Sequence, residues 1–230
     1  LAFFFFIMQG ASLFTIRAIL ETSKMSDINT QNNAAKLTEY DFVIVVDKSG
    51  SMAEPVKPGS SITRWQAVQE AAMTLVRDVE KLDSDGLGLV LFSSSSLVVE
   101  DGVTSDKFRE IFAQNAPRGG TPLDSALTAA LGLAGKSDKK DFIVVFTDGV
   151  PDDKHAAAKV IIDAANRQET DDALTILFIQ VGDDSAATAY LKSLDDDLSG
   201  AKFDIVDAKT VAEVDAFPST VDLILHSIND

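Results

Sequence analysis

The stretch "VIVVDKSGSMAEP" (residues 43–55) joins a run of β-branched residues to a loop of oxygen-bearing side chains. Its first four residues are typical of a buried strand, because branched apolar side chains pack well on a pleated sheet. The run ends in Asp47, and Ser49 and Ser51 follow at alternate positions around Gly50. If the chain turns at the glycine, three short polar side chains can converge on one point. The stretch therefore predicts a strand that ends in a cluster of oxygen donors.

On both sides of this stretch, strand-like and helix-like patterns alternate along the chain. Short apolar runs predict buried strands, and apolar residues three and four positions apart predict helices. Such alternation indicates an α/β fold: a doubly wound, mostly parallel six-stranded sheet with helices on both faces. Two strands with a short connection predict a hairpin, and hence one antiparallel edge strand. The predicted strands are 40–47, 86–93, 96–101, 141–148, 173–182 and 201–208, and the predicted helices are 64–82, 104–115, 121–134, 152–168, 185–198 and 219–228.

The composition limits the kinds of partner. The chain has 230 residues, 46% of them hydrophobic, which is a globular composition. Its formal net charge of −16 argues against nucleic acid or an anionic membrane as the main partner, since both require clustered Lys and Arg. Because the chain has no cysteine, disulfides, thiolate metal sites and a cysteine nucleophile are excluded.

Residues 1–38 differ in composition from the rest of the chain. Residues 1–24 are strongly apolar at first but interrupted by polar residues, whereas a membrane span needs about 20 apolar residues. Met25 would make a natural start for a soluble protein, and the polar, turn-rich residues 26–38 read as a linker. We therefore expect the working domain to occupy residues 39–230. A cytoplasmic location is expected, or a secreted or membrane-anchored one if the apolar segment is a genuine signal.

Two later stretches carry further oxygen donors. In "RGGTPLD" two glycines present Thr121 at the start of a helix, and in "FTDGVPDD" a strand ends at Asp148. Because ligands of doubly wound sheets bind beyond the carboxyl ends of the strands, Asp47 and Asp148 are expected at the same edge. Carboxylate and hydroxyl oxygens suit Mg²⁺ or Mn²⁺, whereas Zn²⁺ prefers His or Cys.

These motifs carry a family resemblance. The pattern Asp47-x-Ser49-x-Ser51, then Thr121 and then Asp148, with "GGTPL" and "TDGxPDD" around the last two, resembles the metal-ion-dependent adhesion site of von Willebrand factor A domains. The resemblance extends from residue 40 to about residue 228 and implies that family's doubly wound sheet. It also implies that the three hydroxyls contact the metal, and that the two carboxylates bind it directly or through water.

The function implied by the resemblance is metal-dependent protein binding without catalysis. A metal held partly by neutral hydroxyls stays electrophilic, so a partner's Asp or Glu can replace one of its waters. Mg²⁺ is the expected ion, with Mn²⁺ or Ca²⁺ as alternatives. The resemblance to stand-alone bacterial members implies an adaptor in stress response or complex assembly. In the family the final helix often shifts on binding, which would couple the two poles of the domain.

Other readings remain open. A metal-dependent hydrolase would need a general base and a substrate pocket, and a surface adhesin is favoured if the apolar segment is a processed signal.

The stretch "ALGLAGKS" (130–137) lacks the first glycine of a phosphate loop, so Gly135 is better interpreted as a helix cap. Arg64 and Arg118 flank the predicted edge and are candidates to steer a carboxylate. His155 is expected on the surface of a helix.

Overall fold

A computed structural model describes residues 33–81 and 86–229. Six strands and a set of helices alternate along this part of the chain. The strands are β1 (Tyr40–Asp47), β2 (Leu87–Ser93), β3 (Ser96–Val103), β4 (Lys140–Thr147), β5 (Leu174–Gln180) and β6 (Val206–Thr210). The helices that follow β1 are α1 (Arg64–Glu80), α2 (Ser105–Ala113), α3 (Leu123–Leu133), α4 (Lys154–Ala165), α5 (Ser185–Asp196), α6 (Val211–Val214) and α7 (Thr220–Ile228).

The strands form one sheet in the order β3-β2-β1-β4-β5-β6. All neighbouring pairs are parallel except β2 and β3, which form the antiparallel edge hairpin. The predicted doubly wound sheet is therefore confirmed. The winding reverses between β1 and β4, because the chain leaves β1 toward one side of the sheet and returns to it on the other. In such sheets a crevice opens at the carboxyl ends of the two strands at this reversal.

Alternate side chains of β1, β2, β4 and β5 enter two separate cores. In β1, Phe42, Ile44 and Val46 pack with the helices on one face, and Val43 and Val45 pack with those on the other. The first core contains apolar residues of α1, α2 and α7, and the second contains those of α3, α4 and α5. Because both faces of the central strands are covered, these strands are apolar throughout and held rigidly. The loops at their carboxyl ends are therefore attached to buried, well-packed strands.

Local signals set the helix ends near the predicted positions. Thr63 caps α1 with a capping box, in which its hydroxyl accepts a hydrogen bond from the Gln66 N–H and the Gln66 side chain accepts one from the Thr63 N–H. Gly135 follows the end of α3 with φ of +67°, as expected of a glycine just past a helix. Pro122 lies at the capping position of α3, and not at its first helical residue.

The last strand differs from its predicted position. β6 covers Val206–Thr210 where 201–208 was expected, because residues 201–205 form the bends that lead into the sheet. A short helix, α6, follows directly, since Thr210 and Glu213 make a second capping box that the prediction overlooked.

Only the last residues of the N-terminal segment are described. Residues 33–37 of the expected linker are helical, and Leu37 is buried in the first core, so packed structure begins slightly before residue 39. The predictions for residues 1–24 lie outside the described residues. Among the helices that are described, none is both long and apolar enough to cross a membrane.

Candidate metal centre

The loop after β1 brings its polar side chains together by a tight turn. The backbone N–H of Ser49 donates to Asp47 Oδ1 at 2.7 Å, and a single 3₁₀ turn follows over Gly50–Ala53. The two serine hydroxyls, of Ser49 and Ser51, lie 3.1 Å apart. The turn therefore brings the alternating residues Asp47, Ser49 and Ser51 close to one another.

A hydrogen bond joins this loop to the end of β4. The Ser51 hydroxyl donates to Asp148 Oδ1 at 2.9 Å. At the neighbouring strand end, the Thr147 hydroxyl donates to Asp47 Oδ2 at 2.8 Å. Asp47 and Asp148 are both almost fully buried. The two carboxylates predicted at one edge of the sheet therefore belong to a single network of oxygen atoms.

Thr121 approaches the same edge through backbone contacts. The Gly50 N–H donates to the Gly119 carbonyl at 2.9 Å, which ties the loop after β1 to the loop before α3. The Thr121 carbonyl accepts from the Asp152 N–H at 3.0 Å, which ties that loop to the one after β4. Thr121 is buried, but its hydroxyl makes none of the hydrogen bonds that join the other donors. We call Asp47, Ser49, Ser51, Thr121 and Asp148 the candidate metal centre.

A largely buried arginine faces Asp148. Arg64, the first residue of α1, places Nη1 at 2.7 Å from Asp148 Oδ2 and at 3.4 Å from Glu54 Oε2. Its side chain is only 13% exposed. The sequence suggested Arg64 as a residue near this edge, but not its direct pairing with a carboxylate of the centre.

Burial also acts on Asp47. Removal from water raises the pKa of this carboxyl from its ordinary value of 3.8 to about 6, although hydrogen bonds from Ser49 and Thr147 oppose the rise. Nearby Asp148 adds a smaller effect in the same direction as burial. Among the described residues, no Lys or Arg forms an ion pair with Asp47. The centre therefore holds a negative charge that lacks a cationic partner.

The residue between Asp47 and Ser49 points the other way. Lys48 is buried, and its ammonium donates to Ser96 Oγ and, at 3.0 Å, to Asn115 Oδ1. Burial and, to a lesser extent, Arg118 lower its pKa. Lys48 thus connects the loop of the centre by hydrogen bonds to β3 and to the residues that follow α2. This role of Lys48 was not predicted from the sequence, in which the available signal is a lysine directly after a buried strand.

The donors fit a hard divalent cation. Carboxylate and hydroxyl oxygens are the ligands of Mg²⁺, Mn²⁺ and Ca²⁺. Asp47 and Asp148 bring two buried carboxylates against the one positive charge of Arg64, and this excess of negative charge would attract a cation. Within residues 33–81 and 86–229, no three His, Cys, Asp or Glu side chains gather as a metal site. Hydroxyls would therefore supply much of any ligand set.

Asp153 and Trp65, which lie near the residues of the centre in the sequence, have structural roles. Asp153 caps α4, accepting from the N–H groups of His155 and Ala156, both at 2.9 Å. Trp65 is buried and stacks on Phe112 at 4.6 Å between ring centroids, so it belongs to the core. His155 is exposed, as expected. Arg118 is also exposed, and its backbone N–H donates to the Lys48 carbonyl at 2.8 Å.

Comparison with known proteins relates part of this chain to a known domain family. Residues 42–150 match the sequence pattern of the von Willebrand factor type A domain. The matched segment runs from β1 past Asp148 and so contains every residue of the candidate metal centre. No curated protein matches the chain in sequence.

Several solved structures share the fold at low sequence identity. The PilB minor pilin from Streptococcus sanguinis is 14% identical with a TM-score of 0.59, over 74% of this chain and 56% of that one. The manganese-loaded Plasmodium vivax TRAP protein is 16% identical with a TM-score of 0.55, over 80% of this chain and 74% of that one. The vWF domain of the type V pili tip protein Mfa5 from Porphyromonas gingivalis is 14% identical with a TM-score of 0.52, over 83% of this chain and 95% of that one.

The length covered differs among these structures. The chain spans little more than half of the PilB minor pilin, but nearly all of the separate Mfa5 domain. The likeness is therefore to one domain, and at these identities it concerns the fold alone.

Proposed function

We propose that the region of this chain that matches the von Willebrand factor type A domain, residues 42–150, binds a divalent cation at the candidate metal centre in order to hold a carboxylate of a protein partner. The observation that carries the proposal is a hydrogen-bonded series that runs from the Asp47 carboxylate, through the backbone N–H and hydroxyl of Ser49 and the hydroxyl of Ser51, to the Asp148 carboxylate. This series joins two strand ends at the reversal of the sheet, where such folds bind ligands.

The roles of the residues follow from their charge and placement. Asp47 and Asp148 supply the negative charge that attracts a cation, and both are held by hydrogen bonds that limit their movement. The hydroxyls of Ser49, Ser51 and Thr121 supply neutral oxygens. A bound cation would supply a positive charge with an open position for one more oxygen, and Mg²⁺ is the proposed ion.

The surface around the centre indicates the charge of the partner. Glu54, Asp152 and Asp183 are exposed on the loops at this edge, whereas Arg118 is an exposed base beside them. A partner surface that is uniformly acidic would be repelled by these groups and by the net charge of −16. We propose a partner with a basic surface around one projecting Asp or Glu.

Metal binding is tested with the metal alone. Titration calorimetry with Mg²⁺, Mn²⁺ and Ca²⁺ is expected to show one site in the wild type, and none in the double variant Ser49→Ala, Ser51→Ala. The matched control is Ser137→Ala with Ser199→Ala, two serines in loops at the opposite edge of the sheet. Equal binding by wild type and the Ser49, Ser51 variant would contradict the proposal.

The open coordination position is tested with a simple carboxylate. Mn²⁺ bound with exchangeable waters enhances water proton relaxation, and acetate is expected to reduce this enhancement by displacing water. Methanesulfonate, an anion of the same charge and a poorer ligand, serves as the control. An enhancement that acetate leaves unchanged would mean that the bound ion has no position for a partner's acid.

We propose that the domain is not an enzyme. The chain has two histidines, of which His155 is exposed at the start of α4 and His226 lies in the last turn of α7. Neither is part of the candidate metal centre, so neither is placed as a general base for a metal-bound water. Metal-dependent phosphatase or esterase turnover that disappears in Asp47→Ala would favour a hydrolase instead.

The cellular location has two candidates. A cytoplasmic bacterial adaptor is one proposal, and a surface adhesin is the other. The adhesin is favoured by the names of two solved structures with this fold, a minor pilin and a type V pili tip protein. Protease treatment of intact cells, followed by detection of the domain, separates the two, because only a surface protein is digested.

A further inference from the structure

Arg64 is held against the candidate metal centre from several directions. Its backbone N–H donates to the Glu54 carbonyl at 2.9 Å, and the capping box of Thr63 and Gln66 fixes the start of its helix. Gly182, with φ of +91°, lets the loop after β5 lie close to the guanidinium, since a Cβ there would be 2.9 Å from Arg64 Nε. The side chain is therefore confined and cannot swing freely into solvent.

This confinement has a cost, which indicates a specific role. Arg64 Nε is buried and has no hydrogen-bond partner in the described part of the chain. A buried donor without a partner is unfavourable. An arginine that served only to balance surface charge would avoid this cost by remaining exposed. The geometry instead directs Nη1 onto one oxygen of Asp148.

Both carboxylate oxygens of Asp148 accept a hydrogen bond. Its Oδ1 accepts from Ser51 and its Oδ2 accepts from Arg64, at 2.9 and 2.7 Å. A carboxylate with a donor on each oxygen is less available as a direct ligand. The positive guanidinium also opposes the approach of a second cation.

We propose that Arg64 is a positioning residue that competes with the divalent cation for Asp148. It restrains Asp148 from direct coordination, so the centre binds its cation more weakly but leaves more of the cation's charge for the partner's carboxylate. Arg64 thereby sets the balance between metal affinity and carboxylate affinity. This inference rests on the proposed function and specifies how the same centre is regulated.

The test compares two variants with a control on the same helix. Arg64→Gln removes the charge, whereas Arg64→Lys keeps it. Arg77→Gln makes the same charge change at an exposed residue near the other end of α1, about 20 Å away by helix rise. Calorimetry with Mn²⁺ measures metal affinity, and acetate displacement by water proton relaxation measures the affinity of the bound ion for a carboxylate.

The expected result has opposite signs for the two affinities. Arg64→Gln is expected to bind Mn²⁺ on the order of tenfold more tightly, and its bound Mn²⁺ to take acetate more weakly. Arg64→Lys and Arg77→Gln are expected to stay near the wild type. A purely structural ion pair predicts the reverse, because its loss would loosen Asp148 and weaken metal binding.

The outcomes separate this inference from the proposed function. Wild type that binds Mn²⁺ while Arg64→Gln binds it equally or less tightly would overturn the role of Arg64 alone. Metal binding that appears only in Arg64→Gln would support the competition but overturn the proposed metal binding by the wild type. Absence of Mn²⁺ binding in both proteins, with thermal unfolding showing that both are folded, would overturn both proposals.

Discussion

The hydroxyl of Ser51 donates a 2.9 Å hydrogen bond to Asp148, a residue 97 positions further along the chain. This contact links the loop after β1 to the end of β4 across the reversal of the sheet. It also places a neutral and a charged oxygen side by side in a buried site. Burial and charge oppose each other in this site, and the first prediction tests that opposition at Asp47.

Asp47→Asn is expected to stabilise the metal-free protein while abolishing metal binding. Burial raises the pKa of Asp47 to about 6, so the folded state binds this proton more tightly than the unfolded state does. The resulting stabilisation is complete below about pH 4 and is lost as the pH rises through 6. The neutral amide avoids that loss, so in EDTA at pH 8 the free energy of unfolding should rise by about 2 kcal/mol.

Urea unfolding at pH 5 and pH 8 checks this prediction. The gain from Asp47→Asn should be larger at pH 8, where the wild-type carboxyl is ionised. Asp138→Asn, at an exposed loop position, is the control and should change little at either pH. A variant that is less stable than wild type at pH 8 in EDTA would show that the burial of this charge is not costly.

Gly119→Ala is expected to destabilise the protein and disturb Thr121. Gly119 has φ of +87°, and a Cβ there would lie 2.6 Å from Ser95 Oγ and 2.7 Å from Ser94 Oγ. Strain and crowding together should lower the free energy of unfolding by about 1 to 3 kcal/mol. Urea unfolding measures the loss, and Mn²⁺ calorimetry should show weaker binding.

Gly132→Ala provides the opposite control. Gly132 lies inside α3, and a Cβ there would meet no atom within 4 Å. Alanine is favoured over glycine in a helix by up to about 1 kcal/mol, so this variant should be more stable than wild type. If Gly119→Ala and Gly132→Ala changed the free energy of unfolding equally, crowding around Gly119 could not explain the effect of Gly119→Ala.

Lys48→Ala is expected to destabilise the protein more than the substitution of an exposed lysine does. The change leaves a cavity where the buried side chain lies and removes the donor to Ser96 and Asn115. We expect a loss of about 2 to 4 kcal/mol in urea unfolding. Lys159→Ala, which removes a 73% exposed lysine paired with Asp163, should cost less than about 0.5 kcal/mol. Similar losses of unfolding free energy in the two variants would refute the proposal that Lys48 stabilises this loop.

Tyr190→Phe is expected to be neutral or stabilising, by up to about 1 kcal/mol. Among the described residues, no group hydrogen-bonds to the buried hydroxyl of Tyr190. Burial raises its pKa to about 12, so its neutral form is favoured by folding, and stability falls as the pH rises from 10 toward 12. Alkaline absorbance titration of the folded protein should lack this late ionisation in the variant. A loss of stability above 1 kcal/mol at pH 7 would mean that the hydroxyl has a partner.

Much of the candidate site follows from short-range patterns. The apolar runs that end at Asp47 and Asp148 predict two buried strands, and parallel strands bring their ends to one edge. The three donors of the loop after β1 lie within five residues, so local turn geometry is enough to bring them together. The proposed donors also depend on the family resemblance, and their binding of a metal remains a prediction.

The sequence by itself determined the order of strands and helices along the chain and the residues offered as oxygen donors. It could do so because hydrophobic periodicity and turn residues act over a few neighbouring positions. Only the tertiary structure decided which groups hold those donors. Arg64 on Asp148, Thr147 on Asp47 and Asn115 on Lys48 are pairs 84, 100 and 67 positions apart. Such contacts arise because the two cores place helices and strand ends at fixed distances, and no local pattern encodes those distances.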